Sequence, residues 1–269
     1  MGQYKLLVLD IDGTLTRKDK TISPYTRETL INAQKEGLRI VLASGRPTYG
    51  IAPIAEELCM SEYGGYILSY NGGEIIDWTT REILYANVLD DAVKPYLYKC
   101  AKDNGFQILS YCDEYIVTED AEDKYVQHEA FLNKMPIRQV ENFLDEVTYK
   151  LPKCLIVGDP EPLHQLEMEM AEKLKGKMGV FRSEAFFLEL VPEGIDKAKC
   201  LNILLKEIGI KREEMIACGD GFNDISMIEF AGLGVAMENA QEPVRHAADY
   251  ITMSNEEDGV AKVVELFCK

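Results

Sequence analysis

Apolar residues along the chain follow two different rhythms. The first is a set of short unbroken runs: Lys5–Leu9 (KLLVL), Arg39–Ala43 (RIVLA) and Tyr66–Tyr70 (YILSY). Such runs fit strands buried on both faces of a sheet. Between them, Ser23-Pro24 offers an N-cap followed by a proline at N1, opening a helical stretch that stops at Gly37, and Pro47 opens another helix. The order β-α-β-α-β predicts a parallel sheet with right-handed crossovers.

After Asn71-Gly72-Gly73 the rhythm changes. Glu74–Ile76 and Glu82–Tyr85 alternate like hairpin strands, and a helix is expected from about Asp90 to Asp103, ending at Gly105. Phe106–Cys112 and Tyr115–Thr118 then flank an Asp113-Glu114 turn. Helices around Ala121–Asn133 and Glu161–Lys175, with strands Lys153–Val157, Gly179–Arg182 and Phe186–Val191, complete an α+β segment with an antiparallel sheet. From about Asp196 the βα rhythm returns. A helix runs to Ile208 before Gly209, Met215–Cys218 is a strand, a helix follows Asn223, and short strands are expected at Gly234–Ala236 and Tyr250–Thr252. The expected fold class is α/β, with a parallel-sheet core formed by residues 1–82 and 192–269. Residues 83–191 are the inserted α+β domain.

Charge narrows the function classes. The chain of 269 residues has 29 Lys+Arg against 46 Asp+Glu, a formal net charge of −17. A surplus of acid argues against nucleic acid and anionic membranes as partners, because phosphate backbones select Lys/Arg-rich surfaces. The surplus is not confined to one part: residues 83–190 hold 12 basic against 20 acidic residues, the rest 17 against 26. No stretch approaches the roughly 20 apolar residues of a membrane span, and the opening Met1–Leu9 run is too short for a signal peptide. Seven scattered cysteines without a CxxC pair fit free thiols in a reducing cytoplasm. Three dispersed histidines offer no zinc cluster. A monomer or small homo-oligomer is expected.

Four clusters carry candidate chemistry, each beside the C-terminal end of a predicted strand or the opening of a helix. Open α/β sheets bind ligands at that edge. Asp10-Ile11-Asp12-Gly13-Thr14 follows the first strand, Ser44-Gly45-Arg46-Pro47 the second, and Gly219-Asp220-Gly221-Phe222-Asn223-Asp224 the strand Met215–Cys218. Lys197 lies in the first turn of the helix that re-enters the core. Taken singly, each has an ordinary explanation: a helix cap at Asp12, a loop at Ser44-Gly45, a solvated lysine, a tight turn at Gly219-Asp220-Gly221. Taken together, Asp10, Asp12, Asp220 and Asp224 would repel one another unless a cation sat among them. Hard oxygen ligands at few positions suit Mg²⁺, which commonly bridges to phosphate. The Ser44 hydroxyl, backbone N–H groups around Gly45 and the Lys197 ammonium would supply donors to that phosphate.

In order, these four clusters resemble the motifs of the haloacid dehalogenase superfamily, and the resemblance covers nearly the full length. Ser69-Tyr70-Asn71-Gly72, Met227-Ile228-Glu229-Phe230-Ala231-Gly232 and Ser254-Asn255-Glu256-Glu257-Asp258-Gly259-Val260 add to it. The layout is similar to the Cof-type (IIB) sugar-phosphate phosphatases, with a Rossmann-like core and an inserted C2-type cap. The resemblance implies a Mg²⁺-dependent phosphatase acting on a small phosphorylated metabolite. Asp10 would be the nucleophile and Asp12 the general acid/base. Mg²⁺ would be held by Asp10, the backbone carbonyl of Asp12, and Asp220, with Asp224 in direct or outer-shell support. Ile11 through its backbone, Ser44, Gly45, Lys197 and Asn223 would hold the phosphoryl oxygens, with Arg46 a second cation or a packing residue. A cap of this type is expected to close over the site, with His128-Glu129 a candidate substrate contact or a solvated helix pair. Tyr111, Tyr115 and Tyr125 fit sheet packing, and Trp78 a turn. A phosphosugar mutase of the same superfamily and a phospho-accepting signalling module are the alternative functions.

Overall fold

The computed structural model describes residues 3–268, which form two compact units. One runs to Tyr85 and resumes at Asp196; the other is Ala86–Ile195. In chain order the first unit begins with strands β1 (Leu6–Leu9), β2 (Arg39–Ala43), β3 (Tyr66–Ser69), β4 (Glu74–Asp77) and β5 (Ile83–Ala86). The second contributes β6 (Gln107–Cys112), β7 (Tyr115–Thr118), β8 (Ile137–Gln139), β9 (Cys154–Val157), β10 (Met178–Glu184) and β11 (Phe187–Pro192). The chain then returns to the first with β12 (Met215–Gly219), β13 (Leu233–Ala236) and β14 (Tyr250–Ile251).

The eight strands of the first unit form one sheet in the order β14-β13-β12-β1-β2-β3-β4-β5. Pairing is parallel from β14 through β3, and β4 then turns back antiparallel to β3. The unbroken apolar runs are explained by two cores. Leu7, Leu9, Ile40, Leu42 and Ile67 meet Leu30, Ile51, Val260 and Val263 on one face. Leu6, Val8, Val41, Ala43 and Leu68 meet Leu201, Leu204, Leu205 and Met227 on the other. The first helix, Pro24–Lys35, starts where its cap predicts, because Ser23 Oγ accepts a hydrogen bond from the Thr26 N–H at 3.0 Å.

The expected boundaries at 82/83 and 191/192 each move by a few residues. Strand β5 bonds to β4 and so belongs with the first sheet, which carries the first unit to Tyr85. Strand β11 extends through Pro192, which keeps the chain in the second unit until Ile195.

The second unit holds a six-stranded sheet in the order β10-β11-β9-β6-β7-β8. All its pairs are antiparallel except β7 with β8. The helix Lys124–Asn133 lies between those two strands in sequence, so the chain crosses over and β8 enters parallel. Strand β8 has no counterpart in the pattern analysis: three residues, one of them apolar, at a sheet edge, give no alternation to read. Helices Lys94–Asp103 and Pro160–Lys173 bury Leu97, Ala101, Leu163, Leu166 and Met170 against Ile108, Val117, Ile156, Leu188 and Leu190. Among the described residues, no helix is long and apolar enough to cross a membrane.

The two-sided burial of the first sheet makes a contrast testable by urea denaturation. Ile40 is fully buried and Ile83 is 56% exposed. Ile40→Ala is expected to cost about 2–5 kcal/mol, and Ile83→Ala less than about 0.5 kcal/mol. Equal losses would contradict the burial of Ile40 in the core on its face of the sheet.

Candidate active site

Strand β1 pairs in parallel with both β2 and β12, so the residues that follow these three strands share one edge of the sheet. Asp10 follows β1, Ser44 follows β2 and Asp220 follows β12. The Asp10 N–H donates to Cys218 O at 3.0 Å, extending the ladder one residue beyond the strand. The chain then turns sharply, with Thr16 N–H donating to Ile11 O at 2.9 Å and Gly13 at φ +86°. Only glycine suits that turn: a Cβ on Gly13 would lie 2.2 Å from Asp220 Oδ2.

Lys197 ties the site together. Its Nζ donates to Asp10 Oδ1 at 2.8 Å, Asp224 Oδ1 at 2.6 Å and the Ala43 carbonyl at 2.9 Å, with the side chain wholly buried. Burial alone would favour a neutral amine, yet the charges of Asp10 and Asp224 hold its pKa above the usual lysine value. The second oxygen of Asp224 accepts from the backbone N–H groups of Asp220 and Gly221, at 3.0 and 2.9 Å. Both oxygens of that buried carboxylate are therefore already engaged.

Carboxylate oxygens of Asp10, Asp220 and Asp224 lie within 4.8 Å of one another, a group able to hold a metal ion. Burial, and then the Asp224 charge, raise the Asp10 pKa against the pull of Lys197. Burial is also the main cause that pushes Asp220 up to about 6, although Thr14 Oγ1 donates to its Oδ1 at 2.8 Å. Proton affinity of this kind marks negative charge that lacks a full counterweight. An all-oxygen donor set of this size fits Mg²⁺.

The Asp12 carboxylate stands apart from that group. Arg46 grips it through Nε to Oδ2 at 2.8 Å and a terminal nitrogen to Oδ1 at 2.7 Å, and Lys20 Nζ reaches Oδ1 at 2.7 Å. Partial burial works against ionisation, but these contacts outweigh it and hold the Asp12 pKa below its ordinary value. The metal role that the family resemblance implies for Asp12 belongs to its backbone carbonyl, not to this carboxylate.

The other expected residues cluster around Asn71. Asn223 Nδ2 donates to Asn71 Oδ1 at 3.0 Å, and a Cβ on Gly45 would come within 2.9 Å of Asn71 Nδ2. Ser44 Oγ is buried and accepts from the Arg46 N–H at 3.2 Å. Ile11 is fully buried, so only its backbone is a candidate contact. His128 and Glu129 lie in the other unit and separate in role. Glu129 is buried and accepts from the Tyr111 hydroxyl, whereas His128 packs edge-on against Phe186. Thr14 and Lys20, which bond to Asp220 and Asp12, lie outside the set of residues expected from the sequence. Thr14 was visible inside the first motif, while Lys20 had no signal beyond proximity.

Removing the buried cation should expose the cost of the charges around it. Lys197→Met leaves Asp10 and Asp224 facing each other and is expected to lose about 3–5 kcal/mol in chelator-treated protein. Adding Asp224→Asn should recover part of that loss in the same denaturation assay. No recovery would contradict like-charge repulsion as the cause.

Comparisons with known proteins identify the family. A family model described as haloacid dehalogenase-like hydrolase matches residues 7–264. The chain is similar to a crystal structure of a haloacid dehalogenase-like hydrolase from Bacteroides thetaiotaomicron, with 61% identity and a TM-score of 0.95 over 97% of this chain and 98% of that one. A Thermotoga maritima crystal structure matches at 29% identity and a TM-score of 0.89, covering 97% of each chain. The 5-amino-6-(5-phospho-D-ribitylamino)uracil phosphatase YcsE of Bacillus subtilis (strain 168) is 30% identical over 269 residues, 97% of this chain and 94% of that protein. The chain belongs to the haloacid dehalogenase-like hydrolases and is a hydrolase of the phosphatase type.

Proposed function

We propose that the protein is a Mg²⁺-dependent phosphatase of small phosphomonoesters, sugar phosphates in particular, working in the cytoplasm through a phosphorylated Asp10. The observation that carries this reading is the separation of two kinds of carboxylate at one sheet edge. Asp10, Asp220 and Asp224 form a charge-surplus group, while Asp12 is held by cations. Asp10 and Asp220, with the Asp12 carbonyl, would hold Mg²⁺. Asp224, with both oxygens engaged, would support them from the outer shell. When bound, the ion supplies charge neutralisation for the phosphoryl oxygens.

A carboxylate oxygen of Asp10 attacks phosphorus, and the bond from phosphorus to the leaving oxygen breaks. Asp12 gives its proton to that oxygen. It then takes a proton from the water that attacks the acyl phosphate, which releases inorganic phosphate and restores Asp10. Arg46 and Lys20 hold the Asp12 pKa below its ordinary value, which favours the ionised form that would accept the water's proton. Lys197, Ser44, Asn223 and the backbone at Ile11 and Gly45 orient and neutralise the transferring group. Three relatives are named as phosphatases of a phosphorylated ribitylaminouracil, which supports testing phosphorylated open-chain sugars first.

Release of phosphate from p-nitrophenyl phosphate should require added Mg²⁺ and vanish in Asp10→Asn. Asp12→Ala should slow turnover by about 10²- to 10⁴-fold. Activity retained in Asp10→Asn would remove the nucleophile assignment. Free phosphate from a hexose phosphate, rather than a rearranged ester, separates a phosphatase from a mutase.

The raised pKa of Asp220 makes binding pH-dependent. In the metal-free fold Asp220 keeps its proton up to about pH 6, while the unfolded chain releases it near 3.8. Its contribution to stability is therefore greatest below 3.8 and declines as pH rises through 6. Metal needs the deprotonated form, so the rise in Tm caused by Mg²⁺ should be larger at about pH 7.5 than at about pH 5. An equal rise at both would contradict binding through this group.

A further inference from the structure

Two cations meet on the Asp12 carboxylate, and they differ in kind. Arg46 is mostly buried and donates to both oxygens, one from Nε and one from a terminal nitrogen. Lys20 is half-exposed and adds a second hydrogen bond to the oxygen that Arg46 already holds. One oxygen position therefore carries two charged partners and the other carries one.

The turn that presents Lys20 is braced independently of Asp12. Arg17 N–H donates to Thr21 O and Lys20 N–H to Arg17 O, each at 2.9 Å. Asp19 Oδ1 accepts from the Thr21 N–H at 3.0 Å and its hydroxyl at 2.7 Å, and Lys18 N–H donates to Glu256 Oε1 at 2.8 Å. Lys20 itself sits at φ 65°, the left-handed region that costs an L-residue about 1–2 kcal/mol. A solvated lysine gains nothing from such a placement, and an exposed ion pair contributes only about 0–1 kcal/mol. The braced turn fixes the Lys20 backbone where its ammonium reaches Asp12 Oδ1.

We propose that Lys20 is a positioning residue for Asp12, occupying one carboxylate oxygen so that the oxygen with a single partner exchanges the proton with the leaving group. The inference rests on Asp12 acting as the general acid/base. Lys20 does not touch the phosphoryl group in this role. Its effect should grow with the need for proton donation, so a poor leaving group should reveal it more than a good one.

Phenyl phosphate and p-nitrophenyl phosphate have similar size and differ in how strongly the leaving oxygen needs a proton. Lys20→Met is expected to lower kcat/KM for phenyl phosphate about tenfold and for p-nitrophenyl phosphate no more than about twofold. Lys20→Arg should restore most of the loss, and Tm should stay within a degree or two of wild type, since the side chain is half-exposed. Equal loss on both substrates, or none, would overturn the proposal. Asp12→Ala provides the control. If it shows no bias toward phenyl phosphate, the general acid/base reading itself fails, independently of Lys20.

Discussion

The buried ammonium of Lys197 is the contact on which the rest of the site depends. It meets Asp10 and Asp224 at hydrogen-bond distance with no solvent exposure. Two carboxylates would not remain ionised side by side in such a place without it. The surrounding backbone is arranged to make the contact possible. Asp196 caps the helix Lys197–Ile208 by accepting from the Lys199 N–H at 2.9 Å, which starts the helix at the lysine itself. The Ala43 carbonyl at the end of β2 takes a third of its hydrogen bonds, so the ammonium also links that strand to the ends of β1 and β12.

One cation for three carboxylates leaves a deficit, and the deficit is what the site offers chemically. Asp224 is fully occupied, while Asp10 and Asp220 retain raised proton affinity because burial and mutual repulsion exceed what Lys197 supplies. Asp12 escapes this condition by pairing with Arg46 and Lys20. Aspartates two residues apart thus acquire opposite tendencies from their neighbours alone. Tightly packed glycines sustain the arrangement, since the Asp220 carboxylate lies directly against Gly13 and Asp224 against Gly219.

Much of this is legible in the sequence alone. The unbroken runs at β1, β2 and β3 read as two-sided strands because a parallel sheet demands apolar residues on both faces, and Ser23-Pro24 marked a helix start through a cap that forms as expected. The Asp113-Glu114 turn was visible, and Asp113 adopts φ 52°. Short edge elements such as Ile137–Gln139 were not, because they bury too little to impose a pattern. Among site residues, Asp10, Asp220, Asp224 and Lys197 were readable as a group, since charge repulsion at shared strand ends requires a common solution. The partition of Asp12 away from them was not readable. It depends on where Lys20 and Arg46 place their side chains, and spacing along a chain carries no such information.

The position of β1 has a consequence for how the chain is made. In the finished sheet this apolar strand lies between β2 and β12, and Lys197 reaches Asp10 across 187 positions of sequence. During synthesis from the N-terminus, β1 and β2 exist long before β12. Over that interval Leu6–Leu9 is an unpaired edge, the kind of surface that recruits strands from other chains. Pairing so distant in sequence also slows closure of the sheet. The inserted unit has its strands and helices contiguous in sequence, from Ala86 to Ile195, so its pairings do not wait for β12. The nascent chain thus carries a half-built sheet until β12 has been made, and it is in this interval that dependence on chaperones should be greatest.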